Sequence, residues 1–364
     1  MHIKSLTVDN FRNYEHEQIN LCPNINVFYG NNAQGKTNLL EAVYLFSHGR
    51  SHRAKSDTEL VKFGKRYFVA NLEFADSERD YKAEIKVSED GKKIIKINNV
   101  PIKKLSMLMS YLNVVMFSPE DLELIKGAPS KRRRFIDEAI SQIYPKYLAN
   151  LINYQKVMLQ KNSLLKKLRF NELKSDETLS VWNEQLASYG SVIYKFRRDF
   201  LKTLSEFAKP IHKNISNEEF GLEYIPGIRL NCNDDEIKKE FFNILEENQR
   251  REIELGSCQV GVQRDDFKMI INENEARIYG SQGQQRTCVL TLKIAQTEYI
   301  KSIRGEYPVL LLDDIMSELD IKRRQYLWEK ITDKQVLLTC TDTDALNDTK
   351  NMSLFNINGG KIVR

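Results

Sequence analysis

No run of about 18 uncharged apolar residues occurs in the sequence, so no segment is expected to span a membrane. The stretch Met1 to Asn10 lacks the apolar core of a signal peptide. Cysteine is scarce and scattered: Cys22, Cys232, Cys258, Cys288 and Cys340, with no CxxC pair. That usage fits reduced thiols and a cytoplasmic location. With 16 glycines and 8 prolines, the chain is neither linker-rich nor collagenous. No charge of one sign dominates, since 55 Lys and Arg face 50 Asp and Glu. The resulting +5 is too mild to identify a nucleic-acid partner; the placement of the charge matters more. What is present is an ordinary apolar fraction of 41%, which excludes wholesale disorder. A length of 364 residues suits one large domain or two moderate ones.

The first hundred residues read as β-structure. Ile3 to Val8, Ile25 to Tyr29 and Tyr67 to Phe74 are strand-like, and Tyr81, Ala83, Ile85 and Val87 alternate with polar residues. Asp90-Gly91 signals a hairpin returning through Ile94 to Ile97, so the segment is an antiparallel meander. From Pro119 the pattern turns helical. Tyr147, Leu151, Tyr154, Met158, Leu165 and Leu168 keep helical spacing, with Lys161 in the missing slot. A second stripe runs from Leu179 to Phe207, with a gap at Thr203. Ser175 or Asp176 would cap the second helix and Pro210 would close it, giving a short antiparallel hairpin. The plain reading of its aromatics is packing. After an acidic stretch from Asp234 to Glu254, apolar strands return at Pro308 to Leu312 and Gln335 to Thr339.

Gly30-Asn31-Asn32-Ala33-Gln34-Gly35-Lys36-Thr37 fits G-x-x-x-x-G-K-S/T, with a strand before it and a helical stretch, Asn38 to Phe46, after it. The two glycines permit backbone angles that aim successive amides at phosphate oxygens, and the helix N-terminus adds partial positive charge. Lys36 would reach the β and γ phosphates, and Thr37 would ligate magnesium. Leu310-Leu311-Leu312-Asp313-Asp314 has the form of a Walker B strand. Carboxylates at the end of a buried strand need a partner, and magnesium beside phosphates supplies one. Asp313 is assigned to the metal, and Asp314 to orienting or deprotonating water. Tyr279-Gly280-Ser281-Gln282-Gly283-Gln284-Gln285-Arg286 lies before a helix, with Ser281 32 residues ahead of Asp313. It resembles the LSGGQ signature of ABC-type ATPases, with Ser281 and the amides near Gly283 as γ-phosphate ligands. Ser317-Glu318-Leu319-Asp320 resembles their D-loop, S-x-L-D. The resemblance implies a homodimer holding ATP and magnesium at its interface, with Asp320 near the nucleotide.

Spacing narrows the subclass. Lys36 and Ser281 are 245 residues apart, too far for a transporter ATPase and too near for the long coil of an SMC head. The segments Asn10-Phe11-Arg12-Asn13-Tyr14, Asn38-Leu39-Leu40-Glu41-Ala42, Gly49-Arg50-Ser51-His52-Arg53 and Phe117-Ser118-Pro119-Glu120-Asp121-Leu122 resemble the RecF family, as do Lys126 to Asp137 and Ser281 to Thr287. The resemblance covers essentially the whole chain. It implies that Arg12 and Asn13 lie near the phosphates, and that Ser118 and Glu120 occupy the Q-loop position. One departure is Gly261-Val262-Gln263-Arg264-Asp265-Asp266, where the family usually reads G-P-H-R-D-D. No histidine follows Walker B, so Thr339 or Thr341 is the nearest candidate for the H-loop role.

The expected fold is α/β (α+β mixed): an ABC-type P-loop head with an antiparallel meander and an inserted helical lobe. The expected division is 1–117, 118–255 for the insertion, and 256–364 completing the head. Basic clusters at 50–66, 126–134 and 156–174 could track duplex phosphates, with Arg53, Lys55, Lys131, Arg132, Lys166 and Lys167 as contacts. For any one cluster, a solvated helix face is the competing reading, and Arg132 and Arg133 could instead brace the Q-loop. No base-reading motif is visible, so binding would be sequence-independent. The resemblance further implies work with RecR and RecO to load RecA at single-strand/double-strand junctions, in support of the SOS response, with slow hydrolysis as a timer. The alternatives are a nuclease-linked ATPase, for which too little chain follows Walker B, and an SMC-like structural head. His48 and His52 are spaced as zinc ligands but lie around Gly49, not on a convincing helix.

Overall fold

A computed structural model describes residues 1–103, 105–170, 178–230, 232–342 and 352–363. The fold is mixed α/β. Two compact units form. The first gathers Met1–Leu122, Pro210–Asn217 and Arg286–Arg364; the second holds Glu123–Lys209 and Glu218–Gln285.

The first unit contains two six-stranded sheets. One is antiparallel, in the order Tyr14–Asn20, His2–Phe11, Tyr67–Ala75, Asp80–Ser88, Lys93–Ile97, Val100–Pro101. Its alternating burial follows the period-2 pattern of its residues. Gly91, at φ 83°, makes the expected hairpin turn, and its amide donates to the Ser88 carbonyl at 2.9 Å. The other sheet runs Lys361–Val363, Met352–Asn358, Ile25–Tyr29, Val336–Cys340, Val309–Asp313, Val114–Phe117. All its pairs are parallel except the first. The interior strands are continuous apolar runs, as burial on both faces demands. The helix Lys36–His48 packs among these sheets in one core that includes Phe11, Phe28, Leu40, Val43, Phe68, Leu311 and Leu337. Gly49, left-handed at φ 65°, ends that helix, its amide donating to the Leu45 carbonyl.

The second unit holds the helices Pro129–Ser141 and Pro145–Arg169, each with proline in the first turn. The helix Thr178–Ser216 follows. Leu164, Leu165, Leu168 and Leu179 cluster with Trp182 and Ile253. Lys161, the gap in the apolar stripe, is fully buried; its Nζ lies 2.5 Å from the equally buried Glu252 Oε2. The second stripe uses buried Leu204 in place of exposed Thr203. The capping candidates Ser175 and Asp176 lie outside the described residues. Pro210 does not close its helix, which continues to Ser216. Proline removes one amide donor from the ladder, but burial of Ile211, His212 and Ile215 holds the further turns. From Pro210 to Asn217 the chain belongs to the first unit. The acidic stretch resolves into two helices, Ile237–Glu247 and Gln249–Leu255. A small sheet, Asn274–Glu275, Asp266–Ile271 and Phe220–Ile225, completes the unit.

Candidate nucleotide site

The strand Ile25–Tyr29 is paired on both sides, Tyr29 facing Cys340 and Asn356, so the loop after it leaves from the middle of the sheet. Gly30, Ala33 and Gly35 have φ of 139°, 63° and 113°. Such turns aim successive amides into one concavity, the geometry that holds an anion. A methyl on Gly30 would stand 2.5 Å from the Ile357 carbonyl oxygen, and one on Gly35 would stand 2.5 Å from Asn13 Nδ2. Lys36 folds back over the loop and donates to the carbonyls of Gly30 at 2.6 Å and Asn31 at 2.8 Å. Burial lowers its pKa, while Asp314, Cys340 and Asp313 pull it upward.

Asp313 ends the buried strand Val309–Asp313. Its Oδ1 accepts from Thr37 Oγ1 and Thr339 Oγ1, both at 2.8 Å. A hydroxyl and a carboxylate already in register are hard oxygen donors of the kind magnesium takes. Asp314 sits at φ 51° and N-caps the short helix Ile315–Glu318. Its amide donates to Thr339 Oγ1 at 2.9 Å. Of the two threonines considered for the H-loop place, Thr339 is the one that meets both aspartates. Burial, then Asp313, raises the pKa of Asp314, against the pull of Lys36. The carboxyl is thereby made a better proton acceptor than an exposed aspartate.

The segment Arg12-Asn13-Tyr14 clasps the loop. Asn13 Nδ2 donates to the Gln34 carbonyl at 2.8 Å, its Oδ1 accepts from Asn38 Nδ2 at 2.8 Å, and the Tyr14 hydroxyl donates to the Gly35 carbonyl at 3.0 Å. Arg12 makes a two-pronged contact with Glu41, at 2.9 and 2.7 Å. Ser51 and Arg53 also donate to Glu41. Burial pushes the Glu41 carboxyl up, but the bonds from Arg12, Ser51 and Arg53 outweigh it and hold the pKa at about 2. Glu41 was missed by sequence reasoning; its signal was a carboxylate on an otherwise buried helix face. An open recess beside the loop is lined by Arg12, Asn13, Asn38, Lys62 and the fully exposed Phe63.

Ser118 and Glu120 follow the strand Val114–Phe117; Glu120 is exposed, and the Ser118 amide donates to Asp121 Oδ2 at 2.8 Å. Asp320 caps the helix Ile321–Ile331, accepting from the Arg323 amide at 2.9 Å. Ser281 and Gly283 belong to the second unit. There Ser281 Oγ accepts from the Gln284 amide at 3.2 Å, and Gln284 Oε1 accepts from the Ser281 amide at 2.8 Å, a reciprocal cap at the start of the helix Gln282–Arg304.

The proposed DNA contacts divide. Lys55, Lys131, Lys166 and Lys167 are exposed. Arg53 donates to Asn38 Oδ1 at 2.6 Å as well as to Glu41. Arg132 requires a correction: it is buried, bonded to both oxygens of Asp266 at 2.6 and 2.8 Å, and donates to the Gly127 carbonyl. Its donors are spent on bracing the unit and cannot reach a phosphate. Asp265 is buried too, where burial raises its pKa, and accepts from Arg197, Tyr224 and the Gly227 amide. Gln263, in the family's histidine position, accepts from the Tyr154 hydroxyl and donates to the Val260 carbonyl. His48 is buried and stacked on Tyr44 at 3.9 Å, and His52 lies past the Gly49 cap, so the two are not helical neighbours. Among the described residues, no group of His, Cys, Asp and Glu could by itself hold a metal, and no helix is long and apolar enough to cross a membrane.

The family described as RecF/RecN/SMC N terminal domain matches residues 2–361. The chain is 43% identical over 366 residues to the DNA replication and repair protein RecF of Clostridium perfringens, covering 100% of this chain and 99% of that one. It is 42% identical over 369 residues to that of Clostridium botulinum, covering 100% of both. A solved structure of the recombination mediator protein RecF with ATP, in the RecFOR pathway, superposes with a TM-score of 0.93 at 37% identity, over 100% of this chain and 97% of that one. An Smc head bound to a winged-helix domain superposes at 0.57 with 15% identity, over 100% and 97%, a likeness of fold alone.

Proposed function

The chain belongs to the RecF family, and on that premise we propose that it is an ATP-controlled DNA-binding protein of replication, repair and recombination. The observation that carries this reading is the convergence on Asp313: Thr37 and Thr339 both bond its Oδ1, with Asp314 next in the chain and Lys36 lying across the loop. Lys36 and the loop amides bind the triphosphate, releasing the lysine from the carbonyls it now holds. Bound magnesium, held by Thr37 and Asp313, would neutralise charge on the β and γ phosphates. Asp314 orients the attacking water and takes its proton. Ser281 and the amide of Gly283 complete the site in trans, in a homodimer that closes on ATP and opens after slow hydrolysis. The first unit is the ATPase head and the second is the inserted lobe. Exposed Lys131, Lys166 and Lys167 of that lobe contact duplex phosphates without reading bases. RecR is the direct protein partner, with RecO and RecA downstream at gaps.

The test is salt-dependent duplex binding with and without nucleotide, run beside Lys36→Met. Wild-type protein should dimerise and bind duplex more tightly with ATP than without, and the variant should show no ATP effect. A Lys36→Met chain that dimerises as well as wild type would count against the sandwich mechanism. Absence of DNA binding at low salt in every nucleotide state would sink the DNA assignment.

A further inference from the structure

Within the first unit, one face of the helix Gln282–Arg304 carries Arg286, Val289, Leu290 and Lys293 at spacings of three, four and seven. Its two ends are charged anchors. Arg286 donates through Nη1 to the Glu318 carbonyl and through Nη2 to Glu318 Oε2 at 2.7 Å. Lys293, nearly buried, donates to the Met116 carbonyl at 2.7 Å and pairs with Asp121 Oδ1 at 2.8 Å. Asp121 in turn holds the Ser118 amide. Thr287, beside Arg286, accepts from Arg323 Nε at 2.7 Å, at the start of the helix that Asp320 caps.

Between the anchors a small apolar recess of about 30 Å³ lies among Phe117, Leu122, Val289, Leu290, Ile315 and Leu319. Apolar burial is non-directional, so the polar contacts at the two ends fix how this face sits. Glu318 is the last residue of the four-residue helix that Asp314 begins. A displacement of Glu318 is therefore passed along one helical turn to Asp314, whose left-handed backbone leaves it little freedom of its own.

We propose that Arg286 is a positioning residue for ATP hydrolysis: by gripping Glu318 it sets the place of the Asp314 carboxylate, while Lys293 holds the Ser118–Asp121 segment from the same helix face. The proposal rests on the ATPase reading above. The bonds described for the two cations run to Glu318, Met116 and Asp121 rather than to the loop that holds the triphosphate, so turnover and nucleotide affinity should separate.

The experiment is a kinetic cycle on the full chain: wild type, Arg286→Ala, Glu318→Ala and the double variant, with Arg286→Lys and Lys36→Met alongside. ATP turnover is measured where the rate no longer rises with protein concentration. Arg286→Ala should lower kcat by about tenfold to a hundredfold, the effect of a misplaced reacting group. KM and the thermal midpoint should stay near wild type. The double variant should lose no more than Arg286→Ala alone, and Arg286→Lys should recover part of the rate. The proposal is overturned if kcat stays within twofold of wild type, if the two losses multiply, or if KM rises in step with the fall in kcat. A wild-type rate no greater than that of Lys36→Met would remove the ATPase reading itself, and this inference with it.

Discussion

Glu41 shows how much one side chain can decide. It is fully buried and negatively charged, a costly state without partners. Arg12, Arg53 and Ser51 supply them, and so tie the segment before the strand Tyr14–Asn20 to the helix that carries Lys36 and Thr37. A carboxyl with its folded pKa depressed contributes stability that is present above its unfolded pKa and fades as pH falls toward the folded one. For Glu41 the window runs from the ordinary glutamate value down to about 2. Glu41→Gln should therefore destabilise the chain by about 3 kcal/mol at neutral pH. In urea titrations the gap to wild type should hold constant from pH 7 to pH 5 and narrow below that. A gap that does not change with pH would mean that packing, rather than charge, gives Glu41 its worth.

Among the elements, the loop Gly30 to Thr37 is where conformation and chemistry are hardest to separate. Gly35 has a backbone angle that a side chain resists, and any Cβ there would strike Asn13. Gly35→Ala should weaken ATP binding roughly tenfold or more, the equivalent of the strain such a position stores. The same strain should lower folding stability by about 1–3 kcal/mol; nucleotide titration by calorimetry, with a melting curve, checks both. The strand, loop and helix here were legible in the sequence because each is local: an apolar run, two spaced glycines, a helical stretch. The same holds for the Asp90-Gly91 hairpin. What could not be read depended on distant partners. Pro210 is a local helix breaker, yet buried residues on either side carry the helix past it. Arg132 looks like part of a basic surface cluster, and only Asp266, 134 residues on, makes it an internal strut. Lys161 reads as a defect in a stripe until Glu252 faces it.

At the scale of the whole molecule, the modest net charge hides a division of labour. Some bases are consumed internally, as Arg132 and Arg197 are in the second unit and Arg12 is in the first. Others stay on the surface, Lys166 and Lys167 among them. Replacing both lysines with alanine should lower duplex affinity about equally for every sequence. It should also reduce the slope of log K against log salt by about one for each phosphate that a lysine no longer neutralises. Fluorescence anisotropy at four or five salt concentrations measures that slope, and an unchanged value would move the DNA surface elsewhere.

The strand Ile25–Tyr29 has as neighbours Val336–Cys340 and Met352–Asn358, which come about three hundred residues later in the chain. During synthesis, the loop that follows this strand therefore emerges long before the sheet that must hold it. At ordinary elongation speeds the wait is roughly 15 to 60 s. Throughout it, the backbone edges of Ile25–Tyr29 are unpaired, while the second unit, complete at Gln285, is free to fold before the strand's neighbours arrive. The nascent chain is thus exposed to chaperones and proteases at a central strand of its sheet, and a ribosome stalled before Val336 would carry a phosphate-binding loop with no sheet to shape it.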